Sequence, residues 1–213
     1  MREQAATAVL AAESPEGGKA ARILEAARRV FMADGYGAAN MDAIAKAAGV
    51  SKATVYAHFT GKDRLFAAII AQQCQVHSAI PALDDIERST PEEALRQLGR
   101  NFADLVLSPA VLDLYRIVVA ETPRFPELGR TLYETGPKRG LARLADYLQR
   151  LTDRGLLDVP APHIAARQFF GMIRSDLYLR RLFNISDAEV GITVEQMVDS
   201  SVEMFLRAYA RRG

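Results

Sequence analysis

The chain has 213 residues, with 27 Lys and Arg against 26 Asp and Glu, a formal net charge of +1, 49% hydrophobic and 25% charged residues. That balance belongs to a globular protein with sequence for one or two cores, and it excludes a disordered or fibrous chain. No apolar run, Leu156-Leu157 and Val118-Val119-Ala120 included, is long enough to cross a bilayer, and the weakly apolar Ala5–Ala12 stretch does not make a signal peptide. The single cysteine, Cys74, cannot close an internal disulfide, and no cluster of Cys and His suits a structural zinc. The expectation is a cytoplasmic protein with no membrane association, metal or cofactor.

Charge is unevenly spread. From Lys19 to Lys62, seven basic residues (Lys19, Arg22, Arg28, Arg29, Lys46, Lys52, Lys62) stand against three acidic ones (Glu25, Asp34, Asp42), so this window carries +4 and the remainder −3. A local excess of that sign suits contact with a polyanion.

Prolines and glycines punctuate helical stretches, and no strand-like alternation lasts five residues. Residues 1–18, ending in Ser14-Pro15-Glu16-Gly17-Gly18, read as a mobile tail. The stripe Ile23, Ala27, Val30, Phe31 predicts a helix over about Lys19–Asp34, stopped at Gly35-Tyr36-Gly37. Short helices over Met41–Ala48, capped by Asn40, and Lys52–His58, capped by Ser51, flank Gly49-Val50. Thr60 and Asp63 read as a capping box that opens a fourth helix, carrying Leu65, Phe66, Ile69 and Ile70 on one face and ending before Pro81. Thr90-Pro91 opens a helix to about Leu107, Pro109 one to Thr122, and Pro126 one to Asp153 with a break at Gly136-Pro137. Helices over Ala161–Phe183 and Thr193–Arg211 complete an all-α chain of about nine helices. The expected domains are 19–79 and 80–213, joined by the fourth helix.

The segment 40–59 carries the sharpest signal. Two short helices packed at a steep angle need a small residue where they meet, which Ala45 supplies, and a turn residue tolerant of positive φ four places later, which is Gly49. Ile44, Val50 and Val55 are the apolar partners that plug the wedge. Together they predict a helix-turn-helix whose second helix presents Lys52, Thr54, Tyr56 and His58, side chains able to bond base edges and phosphates in a major groove.

The run Asn40–Phe59 (NMDAIAKAAGVSKATVYAHF), followed by Thr60–Phe66 (TGKDRLF), closely resembles the DNA-binding segment of TetR-family transcriptional regulators, over about Lys19–Ala71. Leu114–Leu128 (LYRIVVAETPRFPEL) resembles the ligand-domain segment of an AcrR/AefR-like subgroup. The resemblance implies a homodimeric repressor whose two recognition helices read a palindromic operator in double-stranded DNA. A small-molecule, mainly apolar effector in the C-terminal domain would release it. Base contacts would fall on Lys52 and Thr54, and phosphate contacts on Ser51, Tyr56, His58 and Lys62. Ala57 departs from the larger side chain that many relatives carry.

In the second half Phe102, Tyr115, Phe125, Phe169, Phe170, Met172, Tyr178 and Phe183 recur at helical spacing, most as core and some as the lining of a ligand cavity. Arg174 and Asp176, inside an otherwise apolar stretch, either anchor a polar ligand group or close a salt bridge at a dimer seam. The stripe through Val198, Val202 and Phe205, with Ile173 and Leu177 from the preceding helix, is the expected four-helix dimer interface. Cys74 reads as a small buried hydrophobe, His77 as surface and His163 as a local polar contact. An enzyme is disfavoured: there is no phosphate-cradling Gly-rich loop, no His-Glu-x-x-His and no nucleophile set with a base and orienting acid, so no catalytic residue is assigned. An activator, or a regulator governed by a protein partner, is the alternative.

Overall fold

The structure, a computed structural model, describes residues 15–76, 89–186 and 191–211; the rest of the expected tail, His77 and the side chain of Cys74 lie outside it. The described residues form helices and no strand: α1 Pro15–Ala38, α2 Met41–Ala48, α3 Lys52–His58, α4 Lys62–Val76, α5 Pro91–Val106, α6 Pro109–Glu121, α7 Pro126–Thr135, α8 Pro137–Asp153, α9 Pro162–Leu182 and α10 Val194–Tyr209. The expected break at Gly136 is complete and separates α7 from α8. At the other end α1 starts at Pro15, four residues earlier than Lys19, because a proline with its fixed φ suits a first helical turn. It also continues past Asp34 to Ala38, through a break at Gly35 (φ 74°, ψ 164°).

The chain divides into two compact units, one of residues 1–72 with 117–132, the other of 73–116 with 133–213. Residues 117–132, inside the expected 80–213 domain, group by compactness with the N-terminal helices. Both α4 and α6 therefore contribute residues to each unit.

The first unit buries Ile23, Ala26, Ala27 and Phe31 of α1, Leu65, Phe66, Ile69 and Ile70 of α4, and Ile44 and Val55 of the two short helices. Each of the Ile, Leu, Val and Phe side chains stabilises by about 1.5–3 kcal/mol on burial, the two alanines by less. The rings of Phe31, Tyr36 and Phe66 lie 5.5, 5.9 and 5.6 Å apart pairwise. Polar tethers then fix the joins. Arg22 Nη2 donates to the Ala48 carbonyl at 2.8 Å, at the end of α2. Lys62 Nζ donates to the carbonyls of Tyr36 (2.7 Å) and Gly37 (3.2 Å). The Tyr36 hydroxyl donates to the Asp63 carboxylate, so Asp63 braces α1 where the sequence had it capping α4 with Thr60. Phe125, after α6, sets its ring 5.5 Å from that of Tyr36.

The second unit has one core, drawn from α5 (Leu95, Leu98, Ala103), α8 (Leu144, Tyr147, Leu148, Leu151), α9 (Ala165, Ala166, Phe169, Ile173) and α10 (Val198, Val202, Phe205). Helix α9 packs against α8, α5 and α10. Its neighbour α5 comes so close that a Cβ on Gly99 would lie 2.8 Å from Val198 Cγ1 and 3.1 Å from Ile173 Cδ1. Thr90 with Glu93, and Thr193 with Gln196, form reciprocal capping boxes at the starts of α5 and α10. Arg116 caps the far end of α9, donating to the carbonyls of Arg181 (2.6 Å) and Leu182 (2.9 Å) and to Asn184 Oδ1 (2.8 Å). Within α9, Ser175 takes φ 42°, ψ −156°, a break in the helix at a conformation non-glycine residues rarely adopt.

This packing corrects the expected dimer seam. Ile173, Leu177, Val198, Val202 and Phe205 are each at most 2% exposed within a single chain. Ile173, Val198, Val202 and Phe205 belong to the chain's own core with α5, α8 and α9, so as buried side chains they offer no face to a second copy.

Candidate nucleic-acid interface

Local rules make the helix-turn-helix. Asn40 Oδ1 accepts the Ala43 amide at 2.9 Å and starts α2. Gly49 ends it in the left-handed region (φ 64°, ψ 40°), where a side chain would strain the backbone, and its amide bonds to Lys46 O at 3.2 Å. Ser51 Oγ accepts the Thr54 amide at 3.1 Å and starts α3. Val55 is the one buried side chain of this seven-residue helix; Val50, expected beside it in the wedge, is half-buried.

With a single anchor, the rest of α3 points to solvent. Ser51, Lys52, Tyr56 and His58 are exposed and Thr54 is half-buried, its hydroxyl 2.8 Å from that of Ser51. Tyr56 leaves 45% of its surface open, a costly position for an aromatic ring unless something covers it. Lys52 Nζ lies 2.8 Å from Asp42 Oδ1 and 3.1 Å from Oδ2, and this carboxylate on α2 holds the ammonium above its ordinary pKa. Five of the six expected contact residues are thus gathered on α3 and its cap, offering donors and acceptors to base edges and phosphates. Lys62 is the exception: half-buried, its ammonium is engaged by two α1 carbonyls and sits 4.5 Å from the Tyr36 ring centroid. The Tyr36 hydroxyl is itself pushed well above the ordinary phenol range by burial and by Asp63.

Sequence reasoning missed Arg22 on the Ala48 carbonyl, a contact 26 residues apart with no local signature. It also missed Asp42 opposite Lys52; opposite charges flanking a recognised turn were the available signal.

The expected ligand-cavity residues separate into two groups. In the second unit Phe102 stacks on Phe170 (centroids 4.0 Å, 24°), Tyr115 meets Tyr178 edge-on at 5.8 Å, and the Arg174 guanidinium lies 4.1 Å over the Tyr178 ring. Phe169 is fully buried and packs on Phe205 at 5.2 Å, a core role. Phe125 is not among them: it belongs to the first unit, against Tyr36 and Gly37, because the α6–α7 corner is held there. Asp176 is exposed. Among the described residues no three His, Cys, Asp or Glu could share a metal ion, and no helix is long and apolar enough to cross a membrane.

Residues 23–69 match the family described as bacterial regulatory proteins, tetR family, and residues 93–211 match the AefR-like transcriptional repressor C-terminal domain. The chain is 34% identical to a solved TetR-family transcriptional regulator from Mesorhizobium loti, with a TM-score of 0.74 over 93% of this chain and 100% of that one. It is 35% identical to the flavonoid-responsive regulator FrrA, again with a TM-score of 0.74, over 92% of this chain and 100% of that one. Among curated proteins it is similar to the HTH-type transcriptional regulator YvkB of Bacillus subtilis, 25% identical over 186 residues, 87% of this chain and 94% of that one.

Proposed function

Because this chain belongs to the TetR family of DNA-binding transcriptional regulators, which are not enzymes, we propose that it acts in the cytoplasm as a homodimeric repressor released by a planar aromatic effector. The observation that carries the DNA-reading part is the face of α3, where one buried valine leaves Ser51, Lys52, Thr54, Tyr56 and His58 presented together. Lys52 and Thr54 read base edges, while Ser51, Tyr56 and His58 grip phosphates. Lys62 acts first as a brace between α1 and α4, with one N–H left for a phosphate.

Two copies meet through the outward faces of α9 and α10 rather than the buried stripe. Ile164, Leu179 and Met204 are exposed there, and the Tyr209 hydroxyl donates to Gln168 at 2.8 Å, tying the two helices at the surface. A Cβ on Gly171 would touch nothing, so this part of α9 is open to close approach. Pairing sets two α3 helices on half-sites about one DNA turn, roughly 34 Å, apart.

The stacked Phe102–Phe170 pair and the Arg174–Tyr178–Tyr115 set support that effector class, a flat, polyphenolic ring system. The likeness to a regulator described as flavonoid-responsive supports the same class. Helix α6 carries residues of both units and is the route by which such a ligand acts. A preference of a few kcal/mol for the non-binding state suffices to clear the operator.

The test is sedimentation of the full chain on a duplex recovered by selection from random DNA, with and without a flavonoid. Two chains per duplex, one with Met204→Lys, and dissociation on adding the flavonoid are expected. One wild-type chain per duplex overturns the dimer; a complex indifferent to every flavonoid tried overturns the effector class.

A further inference from the structure

Lys52 and Asp42 face each other across the turn. Lys52 opens α3, Asp42 lies in the first turn of α2, and their charged atoms are 2.8 and 3.1 Å apart while both side chains stay largely open, 58% and 66% exposed. Among the described residues of the helix-turn-helix this is the one ion pair found. Its geometry poses a question of economy: a bare carboxylate beside the reading helix repels phosphates, yet here it sits against the first residue of that helix.

We infer that Asp42 and Lys52 enter the major groove as one neutral donor–acceptor pair that reads a C·G base pair, setting sequence preference rather than overall affinity. The inference rests on α3 being the reading helix. An ammonium has three N–H donors and a carboxylate about four lone-pair sites, so each keeps capacity for a second partner while the pair stays closed. In the major groove a C·G pair shows the cytosine N4 amino group beside the guanine O6 and N7 acceptors; an acid takes the first and a lysine the second. No other base pair offers a single strong donor next to two acceptors in that order. Because the pair is neutral as a unit, its contribution releases no counterion and is insensitive to salt. The hold of Asp42 on the ammonium also keeps Lys52 from wandering to the nearest phosphate on non-specific DNA, a restraint consistent with its raised pKa.

Asp42→Asn frees the ammonium and removes the opposing charge. With the full chain, affinity for a random-sequence duplex at about 0.1 M salt should rise several-fold, and the slope of log affinity against log salt should steepen by about two, one for each subunit on the duplex. The ratio of selected to random duplex affinity should fall about tenfold, and selection with the variant should lose one C·G position per half-site while keeping the others. Asp42→Glu keeps the charge, so its slope should match wild type while the C·G preference weakens. Thermal melting of each variant separates these effects from a loosened α2. An unchanged slope and unchanged base preference in Asp42→Asn overturn the inference. If Tyr56→Ala meanwhile abolishes binding, the reading helix stands and only the pair is wrong; if Tyr56→Ala also binds as wild type, the assignment of α3 falls with it.

Discussion

The two units hold together by different means. In the first, a small apolar wedge is finished by polar tethers reaching across the chain: Arg22 to Ala48, Lys62 to Tyr36 and Gly37, Tyr36 to Asp63. In the second, four helices interleave apolar stripes around Phe169, and polar contacts lie at helix ends, as in the Arg116 cap, or along the outer surface, as in Arg96 to Asp199 and Tyr209 to Gln168. Directional bonds set angles, and here they fix α1, α2 and α4 about the helix-turn-helix. Apolar packing is non-directional and tolerates rearrangement. The contrast can be broken by mutation.

The largest effect belongs to the second unit. Phe169→Ala removes a fully buried ring from the centre of its core and should lower unfolding free energy by about 3–5 kcal/mol in denaturant titration. An effect below 1 kcal/mol would mean this core is not tightly packed.

Next comes pH. Burial pushes the Tyr147 phenol up to about 12 from its ordinary 10.0, so the folded chain holds that proton more tightly than the unfolded one. Its contribution is complete below pH 10 and is lost as pH climbs through about 12, worth about 2–3 kcal/mol. Tyr147→Phe should flatten this alkaline limb, leaving the part carried by Tyr36 and Tyr178, whose phenols burial also raises.

A smaller loss tests the tethers. Tyr36→Phe keeps the ring and deletes the bond to Asp63, and should cost about 1 kcal/mol, since the exposed carboxylate recovers water. A change of similar size has the opposite sign. Ser175 holds a φ that suits glycine, so Ser175→Gly should raise the melting free energy by about 1 kcal/mol, where Ser175→Ala should not.

The reading head was legible in the sequence because its determinants are local: Asn40 reaches Ala43, Ser51 reaches Thr54, and Gly49 turns the chain, all within four residues. What escaped is long-range. The bonds of Arg22 and Lys62 span some 26 residues and that of Glu121 to Gly37 spans 84, so no window of sequence contains both ends. Phe125 was grouped with the cavity aromatics because helical spacing reports which side chains are apolar and not which unit they join. The Val198–Phe205 stripe failed as a dimer seam for a related reason. Periodicity shows that a face is buried, and whether its cover is the same chain or another depends on close approaches such as that at Gly99, which leave no trace in the apolar pattern.

The most direct measurement of the central claim is titration of the full chain onto a duplex selected from random DNA, across a salt series, beside Thr54→Ala/Tyr56→Ala. If α3 reads DNA, the variant should lose about a hundredfold in affinity for that duplex while melting as wild type does. Equal affinity of variant and wild type, with both folded, would contradict the account.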